Sequence, residues 1–359
     1  MKKLALYALC AAAIAFPALA QAPKEQEKKE IFPSPNEIVG KADAKDWVAL
    51  APSDLLVMDL APDAQGKPRR VVIQLMPPPF SQGWIGNMRK LAKAHWWDGT
   101  AIVRVQDNYV TQWGDPDGED EAKAKKLPKG LKVMAEDDYT SFGLIAQQPH
   151  WTGRRKVTPA KKPIADNYAG GGRFWRGWPF AFSTPSEQNP IQIMEGGEII
   201  DGELKGDWKT RAPKPDEYLR YWPVHCYGMV GVGRGYSPDT GTGAELYTVI
   251  GHAPRHLDRN IALVGRIIEG IEHLSSLPRG TGPLGFYEKA EQRVPILSIR
   301  LQSEMPTDKP LPTYEYLSTE SAAFAKYADA RANRRDPFFI KPAGGADICN
   351  IPVPVRRKK

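Results

Sequence analysis

Arg104 stands in Ala101-Ile102-Val103-Arg104-Val105, an apolar, β-branched run that reads as a strand. A planar, permanently charged donor fork is thereby fixed on a stiff element. Such a group stabilises electron density that appears only in a transition state, and it needs no nucleophile, metal or proton transfer to do so. On pattern alone an arginine between two valines is a solvent-facing strand residue, and Tyr109 and Tyr247 are core or rim aromatics. Other spacings are weaker. His252 and His256 are four apart, but Pro254 between them argues for a loop, and no third metal ligand accompanies them. Gly231-Val232-Gly233-Arg234-Gly235 lacks dinucleotide spacing and a following helix, and Asp115-Pro116-Asp117-Gly118 is a fragment of a calcium loop with the other ligands out of register. There is no Gly-x-Ser-x-Gly element.

The elements that must position these residues are mostly strands. Leu55-Leu56-Val57-Met58-Asp59-Leu60 and Arg70-Val71-Val72-Ile73-Gln74-Leu75 flank a turn around Asp63 to Gly66, a hairpin signal. Apolar residues at 85, 88, 91 and 92 predict a helix over 85–94. Tyr109-Val110-Thr111-Gln112-Trp113 is a further short strand. Residues 116–222 form a loop-rich insertion carrying charge runs, Gly170-Gly171-Gly172 and aromatic clusters. Strands resume at Pro223 and continue through 245–250 and 261–264; periodicity predicts a second helix over 266–277, and 294–301 reads as a last strand. Residues 302–359 are expected to be a C-terminal tail with one helical stretch near 318–333 and a solvated basic end. No internal repeat is present.

Composition bounds the class. Of 359 residues, 42% are hydrophobic and 25% charged, ordinary globular values, while 33 prolines and 32 glycines favour strands, turns and long loops. The net charge of +7 is a mild excess that does not imply nucleic acid. Lys2 and Lys3, an apolar run over 4–16 and Ala18-Leu19-Ala20 predict a cleaved signal peptide at 1–20, followed by a charged linker at 21–46. The expected location is therefore the periplasm or the exterior, with no membrane anchor. An oxidising compartment permits a disulfide between Cys226 and Cys349, and two unpaired thiols are the alternative.

Four segments, in order, resemble cyclophilin-type peptidyl-prolyl cis-trans isomerases: Asn87-Met88-Arg89-Lys90-Leu91-Ala92; Trp97-Asp98-Gly99-Thr100 running into the Arg104 strand; Tyr109-Val110-Thr111-Gln112-Trp113-Gly114-Asp115; and the stretch from Gly228 through Glu245-Leu246-Tyr247 to Leu257-Asp258 and Gly265. The likeness covers about residues 55–115 and 223–301. It implies a mostly β fold, a closed antiparallel eight-stranded barrel with two flanking helices, within an isomerase domain over 47–301.

The resemblance makes Arg104 the catalytic residue. Rotation about a peptide bond costs about 18–20 kcal/mol because resonance is broken. In the twisted state the proline nitrogen becomes a pyramidal amine, and a fixed donor beside it favours that state over both planar ones. By the same resemblance Tyr109, Val110, Tyr247 and Leu257 line an apolar proline pocket, Gln112 bonds substrate backbone, and Gly233 and Arg234 lie along the peptide groove. Glu245, His256 and Ile261 occupy substrate-site positions where the family commonly has glutamine, tryptophan and histidine, which predicts weak cyclosporin binding. Neither cofactor nor metal is required. The implied partners are proline-containing, unfolded or partly folded exported polypeptides. A non-catalytic module that binds proline segments as a chaperone or assembly factor is the alternative, and a Trp-rich polysaccharide binder is a third reading.

Overall fold

The structure is a computed structural model that describes residues 31–142, 164–183, 220–306 and 311–358, together with short strands at 193–195, 198–200, 203–205 and 209–211. The expected signal peptide lies outside the described residues.

Eight strands close a barrel: β1 (Leu55–Leu60), β2 (Arg69–Leu75), β3 (Ala101–Val105), β4 (Val110–Gly114), β5 (Met229–Val232), β6 (Leu246–Val249), β7 (Leu263–Glu269) and β8 (Val294–Leu301). Their spatial order is β5-β6-β4-β3-β8-β1-β2-β7, closing back onto β5, and every pair is antiparallel. The hairpin read at residues 55–75 is β1–β2, with Leu60 opposite Arg69. Closure leaves no sheet edge and fills the interior with alternate side chains, among them Leu56, Met58, Ile73, Trp113 and Leu246.

Four α-helices are present among the described residues: α1 (Pro35–Gly40), α2 (Gln82–Lys93), α3 (Glu272–Ser275) and α4 (Ala322–Ala332). Helix α2 buries Trp84, Ile85, Met88, Leu91 and Ala92 in the main core. Its Asn87 is wholly buried; its amide donates to the carbonyls of Lys132 (2.8 Å) and Thr242 (3.0 Å), and its oxygen accepts from Lys132 N (2.8 Å). The helix expected over 266–277 is realised only at 272–275, and 266–269 belong to a strand. Val264, Ile267, Ile268, Ile271 and Leu274 mimic helical spacing, yet β7 runs through Glu269 and ends at Gly270, whose φ is +83°, leaving only the single turn of α3.

The linker and the tail also differ from expectation. Residues 35–40 form α1, started by a Ser34–Glu37 capping box. Strands Trp47–Ala49, Tyr314–Leu317 and Val355–Arg357 make a three-stranded sheet joining the two ends of the chain. With α4 they enclose a second core of Trp47, Tyr316, Leu317, Phe324, Tyr327, Ile351 and Val353. The basic end is solvated as expected at Arg357 and Lys358, and it is also engaged: Arg356 lies 3.6 Å from the Trp47 ring centre and pairs with Glu315, and Arg357 forks onto both oxygens of Glu269.

The insertion contributes β-structure to the main core. Strands Ser141–Phe142, Gly171–Trp175, Trp178–Phe182 and Arg220–Pro223 form one sheet, and Trp178, Phe180, Ala181, Tyr221 and Trp222 join the barrel's hydrophobic cluster. Cys226 and Cys349 form a disulfide, so the thiol alternative is set aside and the C-terminal segment is stapled to the chain just before β5.

Candidate active site

One row of residues crosses four strands. Arg104 on β3 is opposite Gln112 on β4, Gln112 is opposite Tyr247 on β6, and Tyr247 is opposite Gly231 on β5. Directly opposed residues share a sheet face, so these four lie on one surface, and Val110 opposite Val249 belongs to it as well. The alternate positions Thr111, Trp113, Leu246 and Thr248 are completely buried on the inner face.

Arg104 reaches the outer face through a bulge. Ile102 pairs with Trp113 and Arg104 with Gln112, so Val103 is the extra residue. Without it the alternation would turn Arg104 inward with Ile102; with it Ile102 and Val105 both point into the core and Arg104 out.

The guanidinium is held on three sides. Nε donates to the Leu284 carbonyl (2.7 Å), Nη1 to Gln112 Oε1 (3.2 Å), and Nη2 to Gln106 Oε1. Its carbon sits 5.7 Å from the centre of the Tyr109 ring and 5.4 Å from that of Phe286. Three of five N–H groups are thus committed among the described residues, and two remain for a ligand. Burial lowers the Arg104 pKa, and arginine has margin to stay charged. Leu284 and Phe286 belong to a loop that runs beside β3, where Gly280 N donates to Val105 O (2.9 Å) and Tyr287 N to Val103 O (2.9 Å). Sequence reasoning missed this loop. Its signal was the glycine at 285, where an added Cβ would lie 2.8 Å from the Gln106 main chain.

Beside Arg104, Val110, Tyr247 and Val249 are buried together, with Tyr109, Leu257 and Ile261 packed around them. This apolar group unites all five residues expected to form or flank the proline pocket and adds Val249. His256 stacks on Tyr109, ring centres 6.3 Å apart and planes within 12°. On the other side of the row, Gln112, Gly233, Arg234 and Glu245 line a cavity of about 480 Å³. Arg234 Nε and Nη2 donate to the Asn260 carbonyl (3.0 and 2.8 Å), tying that groove wall to the segment that carries Ile261. Glu245 Oε1 accepts from Asp115 N (2.7 Å), and burial pushes its pKa up to about 7.

Beneath the pocket lies a residue that sequence reasoning missed altogether. His225, completely buried, places Nε2 2.8 Å from the Tyr247 hydroxyl and Nδ1 2.8 Å from Asp258 Oδ1. A lone histidine among apolar neighbours gives no spacing signal, and its partners are 22 and 33 residues away. An apolar concavity beside a held cation suits a proline ring whose nitrogen becomes basic as the bond twists.

Residues 72–156 match the family model described as cyclophilin type peptidyl-prolyl cis-trans isomerase/CLD. Among solved structures the chain is similar to cyclophilin AquaCyp293 from Hirschia baltica, with 17% identity, 87% of this chain and 94% of that one covered, and a TM-score of 0.53. It also matches a Cryptosporidium parvum cyclophilin type peptidyl-prolyl cis-trans isomerase (10% identity, 69% of this chain and 97% of that one, TM-score 0.34). A structure of that protein in the presence of the dipeptide Ala-Pro gives 11% identity, 68% and 98% coverage, and a TM-score of 0.33. No curated protein matches. The barrel has the cyclophilin fold, and residues 72–156 of the chain match the model of the cyclophilin-type peptidyl-prolyl cis-trans isomerases.

Proposed function

We propose that this protein accelerates X-Pro isomerisation in exported polypeptides. The observation that carries the reading is the shared row: Arg104, anchored by Leu284 and Gln112, stands at the rim of the pocket built on Tyr109, Val110, Tyr247 and Val249. A proline ring seated there places its nitrogen beside the two remaining N–H groups of Arg104. Those donors gain most when the nitrogen lone pair localises at the twisted state, which is differential binding and therefore catalysis. Gln112 holds one face of the guanidinium and offers its amide to the substrate main chain.

Export is supported by the signal pattern at 1–20 and by the Cys226–Cys349 disulfide, a pairing that persists in oxidising compartments. Among the described residues no helix is long and apolar enough to cross a membrane. Fractionation of a cell expressing the whole chain, with N-terminal sequencing of the product, tests export. A mature protein beginning near residue 21 outside the cytoplasm supports it, and an intact N-terminus inside the cytoplasm overturns it. Catalysis is tested on a proline tetrapeptide, where the wild type must shorten an uncatalysed change of tens to hundreds of seconds. A chain that binds the peptide without shortening that time is a proline-segment binder instead.

A further inference from the structure

Tyr247 hangs from a continuous buried chain of polar groups. Its hydroxyl meets His225 Nε2 at 2.8 Å, and His225 Nδ1 meets Asp258 Oδ1 at 2.8 Å, an oxygen that also accepts the His225 main-chain N–H at 3.0 Å. Arg255 Nε donates to Asp258 Oδ2 (2.6 Å), and Arg255 Nη2 donates to Asp166 Oδ2 (2.7 Å). Asp347 Oδ2 stands 3.7 Å from Arg255 Nη1. The side chains of His225, Arg255, Asp258 and Asp166 are all almost completely buried.

Chemistry fixes the direction of each bond. The Asp258 carboxylate accepts only, so His225 carries its proton on Nδ1, and bare Nε2 receives the Tyr247 O–H. Burial holds His225 neutral, outweighing the Asp258 charge that favours the imidazolium, and raises the Tyr247 pKa well above the ordinary tyrosine value. Tyrosine, histidine and aspartate in line resemble a proton relay, but the hydroxyl points inward and the histidine has no solvent access, so nothing is delivered to a substrate.

We infer that the chain Tyr247–His225–Asp258–Arg255–Asp166 is a positioning device that sets the floor and one wall of the proline pocket, and that it extends the active site's supports into the insertion. This inference rests on the isomerase reading for its biological purpose, although its first observable is binding.

Two geometric facts give the device its purpose. The Tyr247 ring lies so close over β5 that a Cβ at Gly231 would stand 2.3 Å from its Cζ, so the bare glycine seats the ring and the hydroxyl tether holds its far end down on that seat. Asp258 ends the turn Arg255–Leu257, which carries His256 behind Tyr109 and Leu257 in the pocket wall. One carboxylate thus fixes floor and wall together. The far end is Asp166 from the insertion. Asp347 lies two residues from Cys349, whose disulfide partner Cys226 adjoins His225, so the C-terminal segment converges on the same device.

The test is a double-mutant cycle between the two ends, Tyr247→Phe and Asp166→Asn, read as the dissociation constant of an Ala-Pro tetrapeptide in an NMR titration, with unfolding followed in parallel. Each single variant should weaken binding roughly fivefold or more, and the double variant should be no weaker than the worse single one, because both cut the same chain. Independent, multiplying effects overturn the inference, as does an Asp166→Asn variant that unfolds earlier yet binds like wild type. Should Asp166→Asn fail to fold, the ring-nitrogen spectrum of wild-type His225 decides. A protonated Nδ1 and a bare Nε2 that do not titrate between about pH 5 and 8, with Asp258, Arg255, His256 and Tyr247 as the facing groups, support the device. A titrating His225 overturns it. Failure of the isomerase reading is seen separately, as a wild type that binds the peptide without accelerating its isomerisation. A wild type that binds no peptide overturns both before any substitution is made.

Discussion

At the rim of the pocket, Arg104 takes its side-chain partners from residues two and eight positions away and one carbonyl from a neighbouring loop. At the floor, Tyr247 is tethered by groups drawn from residues 166, 225, 255 and 258. The rim is half-exposed, with two Arg104 N–H groups left over from its partners among the described residues; the floor is sealed and its polar groups face one another. Buried charges and donors that lose a partner are costly, whereas exposed ones exchange it for water. Rim substitutions should therefore alter chemistry with little effect on folding, and floor substitutions should alter folding and binding together.

The largest expected effect on stability is at the staple behind the floor. Replacing Cys226 and Cys349 by serine opens a cross-link spanning 123 residues and should cost about 2–5 kcal/mol. Denaturant midpoints measure it, and peptide binding should weaken as the C-terminal segment loosens near Arg255. An unchanged midpoint would mean that the segment is held without the disulfide. A smaller loss is expected at Gly231→Ala, where the new methyl meets the Tyr247 ring and the tether forbids it to move away. Overpacking of this kind costs about 1–3 kcal/mol, and binding should fall with it. If the same variant in a Tyr247→Phe background costs as much, the tether plays no part.

Glu245 gives the smallest effect and the one that belongs to the rim. Its folded pKa of about 7 lies above the ordinary 4.5, so the stability linked to its proton is fully present below about pH 4.5 and is lost as pH rises through 7. Glu245→Gln keeps an acceptor for Asp115 N and should gain about 1 kcal/mol over wild type at pH 8, a figure reduced for partial exposure, and nothing at pH 4. Thermal unfolding at the two pH values checks it; an equal difference at both would mean that the carboxyl does not titrate in this range.

The rim was legible only through the resemblance, whose motifs are local: Arg104, Tyr109, Val110 and Gln112 fall within nine residues, yet on pattern alone Arg104 is a solvent-facing strand residue. The β1–β2 hairpin, in contrast, announced itself by β-rich runs around a turn. The bulge at Val103 was not legible, since one extra residue leaves no mark in composition yet decides which way Arg104 points. The two-residue turn Arg176–Gly177, with positive φ at both positions between Trp175 and Trp178, makes a hairpin inside a stretch read as a loop-rich insertion partly packed through its aromatics. Residues 266–269 were misread, while 272–275 are helical as expected, because isoleucines at helical spacing also suit a strand covered on both faces. The tether behind Tyr247 could not be read: His225, Asp258 and Asp166 meet only after the barrel closes and the insertion folds over it, and no spacing in the chain encodes that meeting.

The central claim is that the rim carries the chemistry. It is tested most directly by isomerisation of a proline tetrapeptide with wild type and Arg104→Ala, alongside their unfolding curves. The account predicts catalysis by the wild type, a fall of about 10²–10³ in rate for the variant, as for loss of one preorganised donor, and nearly coincident unfolding. An Arg104→Ala protein that keeps the wild-type rate would contradict it.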